Sequence, residues 1–477
     1  MIMFFNSFTF IGFFLAVIII LLLERLLVGR NASVRNLTLL IASYFFYAYF
    51  NIGFTLILAF VTLVNFIAGN SIISGRVKHP RRVVALGTIL SLLPLVFYKY
   101  ALFLCKSFAL LLSLELSFEL LEGLLLPVGI SFFTFQALSF TIDAYRGKIT
   151  QKSGLLDFAL FVAFFPTILS GPIEKARNLL PQIKRYSFPS IDDFLQGFCI
   201  FIWGLFKKMV VADRLAYYVD WAYGSAQYSA AGTLLIAAIF YSIQIYCDFS
   251  GYSDMAMGVA KALGFNVTKN FRQPYFSRTF KEFWRKWHIA LTSWFTEYVY
   301  FSLGGSRVKH KLRWVFNIST IFLLSGIWHG AAWSFVIWGA LHALFYLIEH
   351  FLGMQKESVK WNVISSTIAG ILVFLLVTFA WIFFRLDFNA ATYVVGKIFT
   401  GNITQFSMGA SSFTFVATVT MLGVLLIYEL LVRRGVLSFE VENFSERLRI
   451  NLVAMVPIGV LLAMFSMQSD NFVYFQF

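Results

Sequence analysis

Charge is what this chain has least of. Only 13% of its 477 residues are Asp, Glu, Lys or Arg, about half the share of roughly 25% in an ordinary soluble domain. Polar stretches able to fold by themselves are missing too. The more polar gaps, at 172–193, 265–290, 303–313, 352–362 and 434–449, are short, and none can bury a core of its own. Cysteine is scarce: Cys105, Cys199 and Cys247 lie far apart in apolar surroundings. They form neither a disulfide framework nor a metal-ligand spacing and read as core residues. HExxH, GxSxG, a P-loop and a GxGxxG after a strand are all lacking. No period of roughly 20–50 residues repeats and no clear inverted repeat is visible, which counts against the common transporter plans.

Apolar runs are plentiful instead. Hydrophobic residues make up 59% of the chain, in runs at 8–23, 37–69, 83–104, 124–142, 155–171, 194–211, 231–264, 314–348, 363–384, 412–432 and 450–467. At roughly 20 residues per span these hold about 10 to 13 transmembrane helices. The expectation is an all-α polytopic membrane protein forming a single integral-membrane domain over 1–477. The net charge is +15, from 38 basic and 23 acidic residues. In a soluble protein that would suggest nucleic acid. Here the cations sit in the gaps (Arg25, Arg30 and Arg35; Arg76, Lys78, Arg81 and Arg82; Lys175, Arg177, Lys184 and Arg185; Arg307, Lys309, Lys311 and Arg313). That is the positive-inside pattern of cytoplasmic loops, so the partner is a lipid bilayer rather than nucleic acid. The first charges, Glu24 and Arg25, follow the first apolar run, which places the amino terminus outside with no removable signal peptide.

Three stretches carry chemistry. In "FKEFWRKWHIALTSWF" (280–295), Phe280, Phe283, Trp284, Trp287, Leu291, Trp294 and Phe295 follow helical spacing. Lys281, Glu282, Arg285 and Lys286 fall elsewhere. This reads as an amphipathic interfacial helix, with His288 at the edge of its apolar face, either as structural support or as part of a site. In "LLSGIWHGAAW" (323–333), His329 is an imidazole inside an apolar run, a placement rare in spans and usually turned to a bundle interior or watery cavity. Gly326, Gly330, Ala331 and Ala332 leave room beside it for a backbone or a thin substrate, and a roomy imidazole suits general-base work. In "YCDFSGYSDMAMGVAKALGF" (246–265), Asp248 and Asp254 are membrane-buried carboxylates, suited to a functional site or to pairing within the architecture. His342 and His350 follow His329 with no metal spacing and read as structural.

These stretches together resemble the membrane-bound O-acyltransferase (MBOAT) family, above all its bacterial branch of alginate and peptidoglycan O-acetyltransferases and the D-alanyl transfer protein of teichoic acid modification. The resemblance is carried by "PVGISFFTFQALSFTIDAYRG" (127–147), "FFPTILSGPI" (164–173), "CDFSGYSDMAMGVAKALGF" (247–265), "NFRQPYFSRTFKEFWRKWHIALTSWF" (270–295), Gly304, Gly305 and Arg307, and "SGIWHGAAW" (325–333). The pieces span about 90–350, in the family's order. The resemblance implies an MBOAT-like bundle with interfacial or re-entrant helices that thins the membrane, so that a cytoplasmic acyl thioester and an outward-facing acceptor reach one site from opposite faces. It also implies that His329 is the catalytic base and His288 the second family histidine. Lys286 stands where the family often has arginine, a change that keeps the charge.

The expected activity is then O-acetyl transfer in the bacterial cytoplasmic membrane, from acetyl-CoA as cosubstrate and with no metal. The acceptor is an exported or cell-wall polysaccharide, reached through a periplasmic serine-esterase-like partner. Lys281, Arg285 and Lys286 are candidates for drawing the phosphates of coenzyme A. Trp328 and Trp333, with Trp338 and Asp248, are candidates for lining a substrate tunnel. The chain ends "DNFVYFQF", which suits a belt of interfacial aromatics. It also resembles the tyrosine-bearing tail of this branch, which makes Tyr474 a candidate acyl carrier. Two rivals remain: D-alanyl transfer from a carrier protein to teichoic acid, and a proton-coupled transporter or flippase using the buried His and Asp residues.

Overall fold

The computed structural model describes residues 3–356, 361–409, 411–437 and 444–466, and among them it contains helices, turns and loops but no strand. The chain divides into two compact units, Met1–Phe201 with Met255–Thr268, and Ile202–Asp254 with Lys269–Phe477.

The first unit opens with α1 (Phe8–Leu27), where the Ser7 hydroxyl accepts from the Phe10 amide and caps the helix. Asn31 does the same for α2 (Ala32–Ala48), accepting from Ser33 and Val34. Then come α3 (Phe54–Ile73) and α4 (Pro80–Leu95), which Pro80 starts in the one turn where its missing N–H is harmless. A π-helical stretch, Val96–Tyr100, leads into α5 (Ala101–Leu111). The short α6 (Glu119–Glu122), the buried α7 (Ile130–Tyr145), α8 (Leu155–Ala163), α9 (Ala176–Lys184) and α10 (Ile191–Leu205) follow. α7 begins at Gly129, whose φ of +75° and contact with the Ile168 carbonyl leave no place for a Cβ.

In the second unit a π-helical stretch, Phe206–Ala212, continues the chain into α11 (Asp213–Gly224). The 32-residue α12 (Ala231–Ala262) starts here, and its end belongs to the first unit. Two short helices of 7 residues each, α13 (Phe280–Lys286) and α14 (Ile289–Phe295), precede the hairpin of α15 (Lys311–His329) and α16 (Trp333–Phe351). α17 (Val363–Arg385), α18 (Phe388–Thr400), α19 (Ser412–Arg433) and α20 (Phe444–Phe465) complete it.

Eight helical segments among the described residues are long and apolar enough to cross a membrane. The multi-pass, all-helical architecture expected from composition is therefore present. α15 is not one of the eight. Its apolar run is interrupted by Asn317, Ser319, Thr320, Ser325 and His329, the first sign that it serves a site.

Candidate active site

α15 ends on His329, and the next residue, Gly330, is extended at φ −159° and ψ 152°. The imidazole therefore stands at a helix tip. What holds the tip is close backbone packing between α15 and α16. A Cβ on Gly326 would collide with the Phe335 carbonyl, one on Gly339 with the Phe322 carbonyl, and one on Gly330 with the Phe335 ring. The small residues around His329 thus bring the two helices together. His329 itself is buried.

The stretch 280–295 is not the single amphipathic helix its spacing suggested. It breaks between α13 and α14, with Trp287 extended and His288 in the left-handed region at φ +43°. The cause is Asn270. Its carbonyl accepts from the Ile289 amide at 2.8 Å, and its side-chain Oδ1 accepts from the Ala290 amide at 3.1 Å. Asn270 therefore satisfies the first turn of α14 in place of a continuing helix. The same Oδ1 lies 3.3 Å from His288 Nδ1, and Asn270 Nδ2 donates to Ser253 Oγ at 3.1 Å. Because Oδ1 only accepts, the ring proton of His288 sits on Nδ1 and the lone pair on Nε2. Burial pushes the His288 pKa down to about 3, so the imidazole is neutral at ordinary pH.

These two devices bring the histidines together. Their ring centroids are 6.4 Å apart. Trp328 meets both, 5.0 Å from His329 and 5.9 Å from His288. Trp338 and Phe384 close the far side of His329 at 5.1 and 5.2 Å, and Phe249 packs edge-on to His288 at 4.7 Å. The result is an imidazole pair walled by aromatic rings, where a neutral base is kept from bulk water.

Other sequence candidates fall in different places. Trp333, at the start of α16, is 58% exposed. Asp248 is buried in an ion-paired cluster, its Oδ1 2.7 Å from Lys208 Nζ, which also reaches Asp213 at 2.8 Å. Asp254 pairs with Lys207. Both carboxylates thus join α12 to the π-helical stretch through ion pairs. His342 is fully buried beside Trp338 and Trp284, at 4.8 and 4.9 Å. His350 packs on Trp314 at 4.2 Å. Tyr474 lies outside the described residues.

Lys281 and Arg285 do share a site. They stand at a cavity of about 310 Å³ whose walls include Trp284, Phe322, Ser325 and Tyr346. Lys286 turns away and pairs with Glu282 at 2.7 Å. Although burial opposes it, the Arg278 amide and Lys286 hold the Glu282 carboxyl below its usual range. Ser325 is one helical turn before His329, on the same face of α15. Trp284 also touches Trp338, 5.8 Å away. The cavity therefore runs from two cations to within a turn of the base. Among the described residues, no three of His, Cys, Asp or Glu gather where they could hold a metal ion.

A family model described as MBOAT, the membrane-bound O-acyltransferase family, matches residues 39–386. The chain belongs to this family. It is 38% identical over 377 residues to the protein named probable alginate O-acetylase AlgI of Pseudomonas putida, covering 78% of this chain and 76% of that one. It is 32% identical over 384 residues to a peptidoglycan O-acetyltransferase of Helicobacter pylori, covering 75% and 72%. With a teichoic acid D-alanyltransferase of Bacillus subtilis it shares 30% identity over 271 residues, covering 54% and 68%. The chain is a multi-pass membrane O-acyltransferase, as the motifs implied. The matched region contains Asn270, His288 and His329.

Sequence reasoning missed Asn270, Ser253 and Phe384. Asn270 carried one usable signal, its place at the head of the "NFRQPYFSRTF" motif. Phe384 carried none, being one Phe among 58.

Proposed function

We propose that this protein is an O-acetyltransferase of the bacterial cytoplasmic membrane. It takes acetyl from acetyl-CoA on the cytoplasmic side and passes it toward an exported or cell-wall polysaccharide, with a periplasmic serine-esterase-like partner completing delivery. The observation that carries this reading is the buried imidazole pair, with a cavity edged by Lys281 and Arg285 whose wall includes Ser325, one helical turn before His329. The donor set fits a coenzyme A thioester: two cations for phosphates, then apolar and aromatic walls for the uncharged remainder. The names of the relatives supply the acceptor class. An alginate O-acetylase and a peptidoglycan O-acetyltransferase match three-quarters or more of this chain.

The donor brings a carbonyl already activated by a good leaving group. What the chain must add is a hydroxyl stripped of its proton and a site without competing water. His329 takes the hydroxyl proton as the oxygen attacks, a general-base contribution of about 10²–10⁴-fold. His288, neutral and with its lone pair on Nε2, orients the acceptor or shares that proton. Trp328, Trp338 and Phe384 exclude the water that would otherwise hydrolyse the thioester. In the same scheme Tyr474 is the first acceptor. Its hydroxyl gives up a proton to His329, gains the acetyl group as an ester and presents it on the outer side, while the thiol leaves.

A D-alanyl donor on a carrier protein is the competing reading within the enzyme class. The D-alanyltransferase match covers 54% of this chain against 78% for the alginate relative, which favours acetyl. Membership of an acyltransferase family argues against a proton-coupled transporter. The deciding experiment incubates the purified full chain with isotopically labelled acetyl-CoA and reads the C-terminal peptide by mass spectrometry. Label on Tyr474, abolished by both H329A and Y474F, is the expected result. Full acetylation of the glycan by Y474F ends the relay. Label unchanged in H329A ends the base assignment.

A further inference from the structure

α13, which carries both Lys281 and Arg285, is too short to hold itself in place. Its 7 residues fall well below the roughly 12–15 at which isolated helices become even marginal, so its position is set from outside. The amides of its first three residues all find side-chain acceptors. Thr279 Oγ1 accepts from the Glu282 amide at 3.0 Å. Glu349, near the end of α16, accepts from the other two. Its Oε1 takes the Phe280 amide at 2.6 Å and its Oε2 the Lys281 amide at 3.2 Å. Glu349 is buried and forms no salt bridge among the described residues. The amides at the positive end of α13 are therefore what stabilise its charge.

A further contact fixes the carboxylate itself. Gln355, just beyond the end of α16, donates from Nε2 to Glu349 Oε2 at 2.9 Å and to the Tyr346 carbonyl at 3.0 Å. Tyr346, one turn before Glu349, lines the same cavity as Lys281 and Arg285. The carboxylate thus ties the helix that carries the two cations to a helix that supplies the wall. Its oxygens are occupied in doing so. Neither Lys281 nor Arg285 pairs with a carboxylate among the described residues, whereas Arg278 and Lys286 both pair with Glu282. Two cations at one cavity are left without counter-charges, and the nearby buried acid is engaged by the backbone instead.

We infer that Glu349 is a positioning residue for the acyl donor. It pins the backbone of Lys281 at the start of α13, and Arg285, four residues on, follows on the same side of the helix. The ammonium and the guanidinium are then held together at the cavity, where the phosphates of one donor molecule meet both. Glutamine cannot do this work. It offers one acceptor oxygen and turns an NH₂ group toward a donor that needs an acceptor. The inference rests on the acetyl-CoA reading and adds to it a residue that touches neither donor nor acceptor.

The test is calorimetric titration of the detergent-solubilised full chain with coenzyme A itself, which needs no acceptor and no turnover. E349Q should weaken binding about three- to tenfold, as expected when one charge-assisted hydrogen bond behind the site is lost. In a K281Q background the same substitution should change affinity by no more than about twofold, because the cation that Glu349 positions is already gone. Q355A removes only the brace on Oε2, at a half-buried position, and should weaken binding in the same direction by a smaller factor. It decides the question if E349Q lowers the unfolding midpoint. Equal losses in the native and K281Q backgrounds would mark Glu349 as general support for the fold and overturn the inference. So would native affinity in both E349Q and Q355A. Either result leaves the donor reading standing, since the native chain binds coenzyme A. A native chain that binds no coenzyme A overturns that reading and this inference with it.

Discussion

His288 occupies a backbone region that residues with a Cβ seldom enter, at a cost of about 1–3 kcal/mol where the surroundings enforce it. Asn270 enforces it through two amide hydrogen bonds and a contact to the imidazole. The consequence is a histidine that stays neutral. Its pKa in the fold is about 3, against an ordinary 6.5. As pH falls through 6.5 the unfolded chain takes up a proton that the folded chain refuses until about 3. The stability tied to His288 is therefore intact above pH 6.5 and is lost progressively from there toward pH 3. H288Q, which cannot titrate, should flatten that part of the curve of unfolding midpoint against pH. Parallel curves for the two proteins would contradict the buried, neutral assignment. His329 was legible in the sequence because an imidazole is conspicuous in an apolar run. Asn270 was not, since asparagine is ordinary in a polar gap and its partners lie 17 to 20 residues away.

At the level of elements, the α15–α16 hairpin is what sets His329 in place, and glycine is what makes the hairpin close. G326A and G339A each force a methyl against a carbonyl of the facing helix. Overpacking of this kind costs about 1–3 kcal/mol and should lower both the unfolding midpoint and acetyl transfer. G423A in α19, where nothing lies within 4 Å of the new methyl, should instead gain about 0.5–1 kcal/mol. Thermal unfolding of the three purified variants distinguishes them, and equal shifts would show that the hairpin does not depend on backbone contact. Such dependence was partly readable, because small residues flanking an intramembrane histidine suggest close approach. The division of 280–295 into α13 and α14 was not readable, since its apolar spacing runs on through the break at Trp287 and His288. Periodicity reports which face is buried; it says nothing of a long-range cap from Asn270. The π-helical stretches at Val96–Tyr100, Phe206–Ala212 and Thr296–Tyr300 escaped for the same reason.

For the whole molecule, scarce charge and long apolar runs made the membrane class plain, and the order of the motifs made the family plain. The two compact units were invisible because α10 and α12 run through both, so no linker marks their boundary. Lys207 and Lys208 are buried partners of Asp254, Asp248 and Asp213, a pairing that the sequence alone did not show. Lys281 and Arg285 remain at the cavity while Lys286 does not, a distinction that charge counting could not draw. The central claim is that His329 drives acyl transfer from one face of the membrane to the other. The most direct measurement reconstitutes the full chain in sealed vesicles and supplies labelled acetyl-CoA only at the face carrying Lys281 and Arg285. Labelled acetyl ester is then sought at the opposite face. The account predicts label there for the native protein and none above background for H329A. Equal label with H329A, or ester formed only on the side of supply, would contradict it.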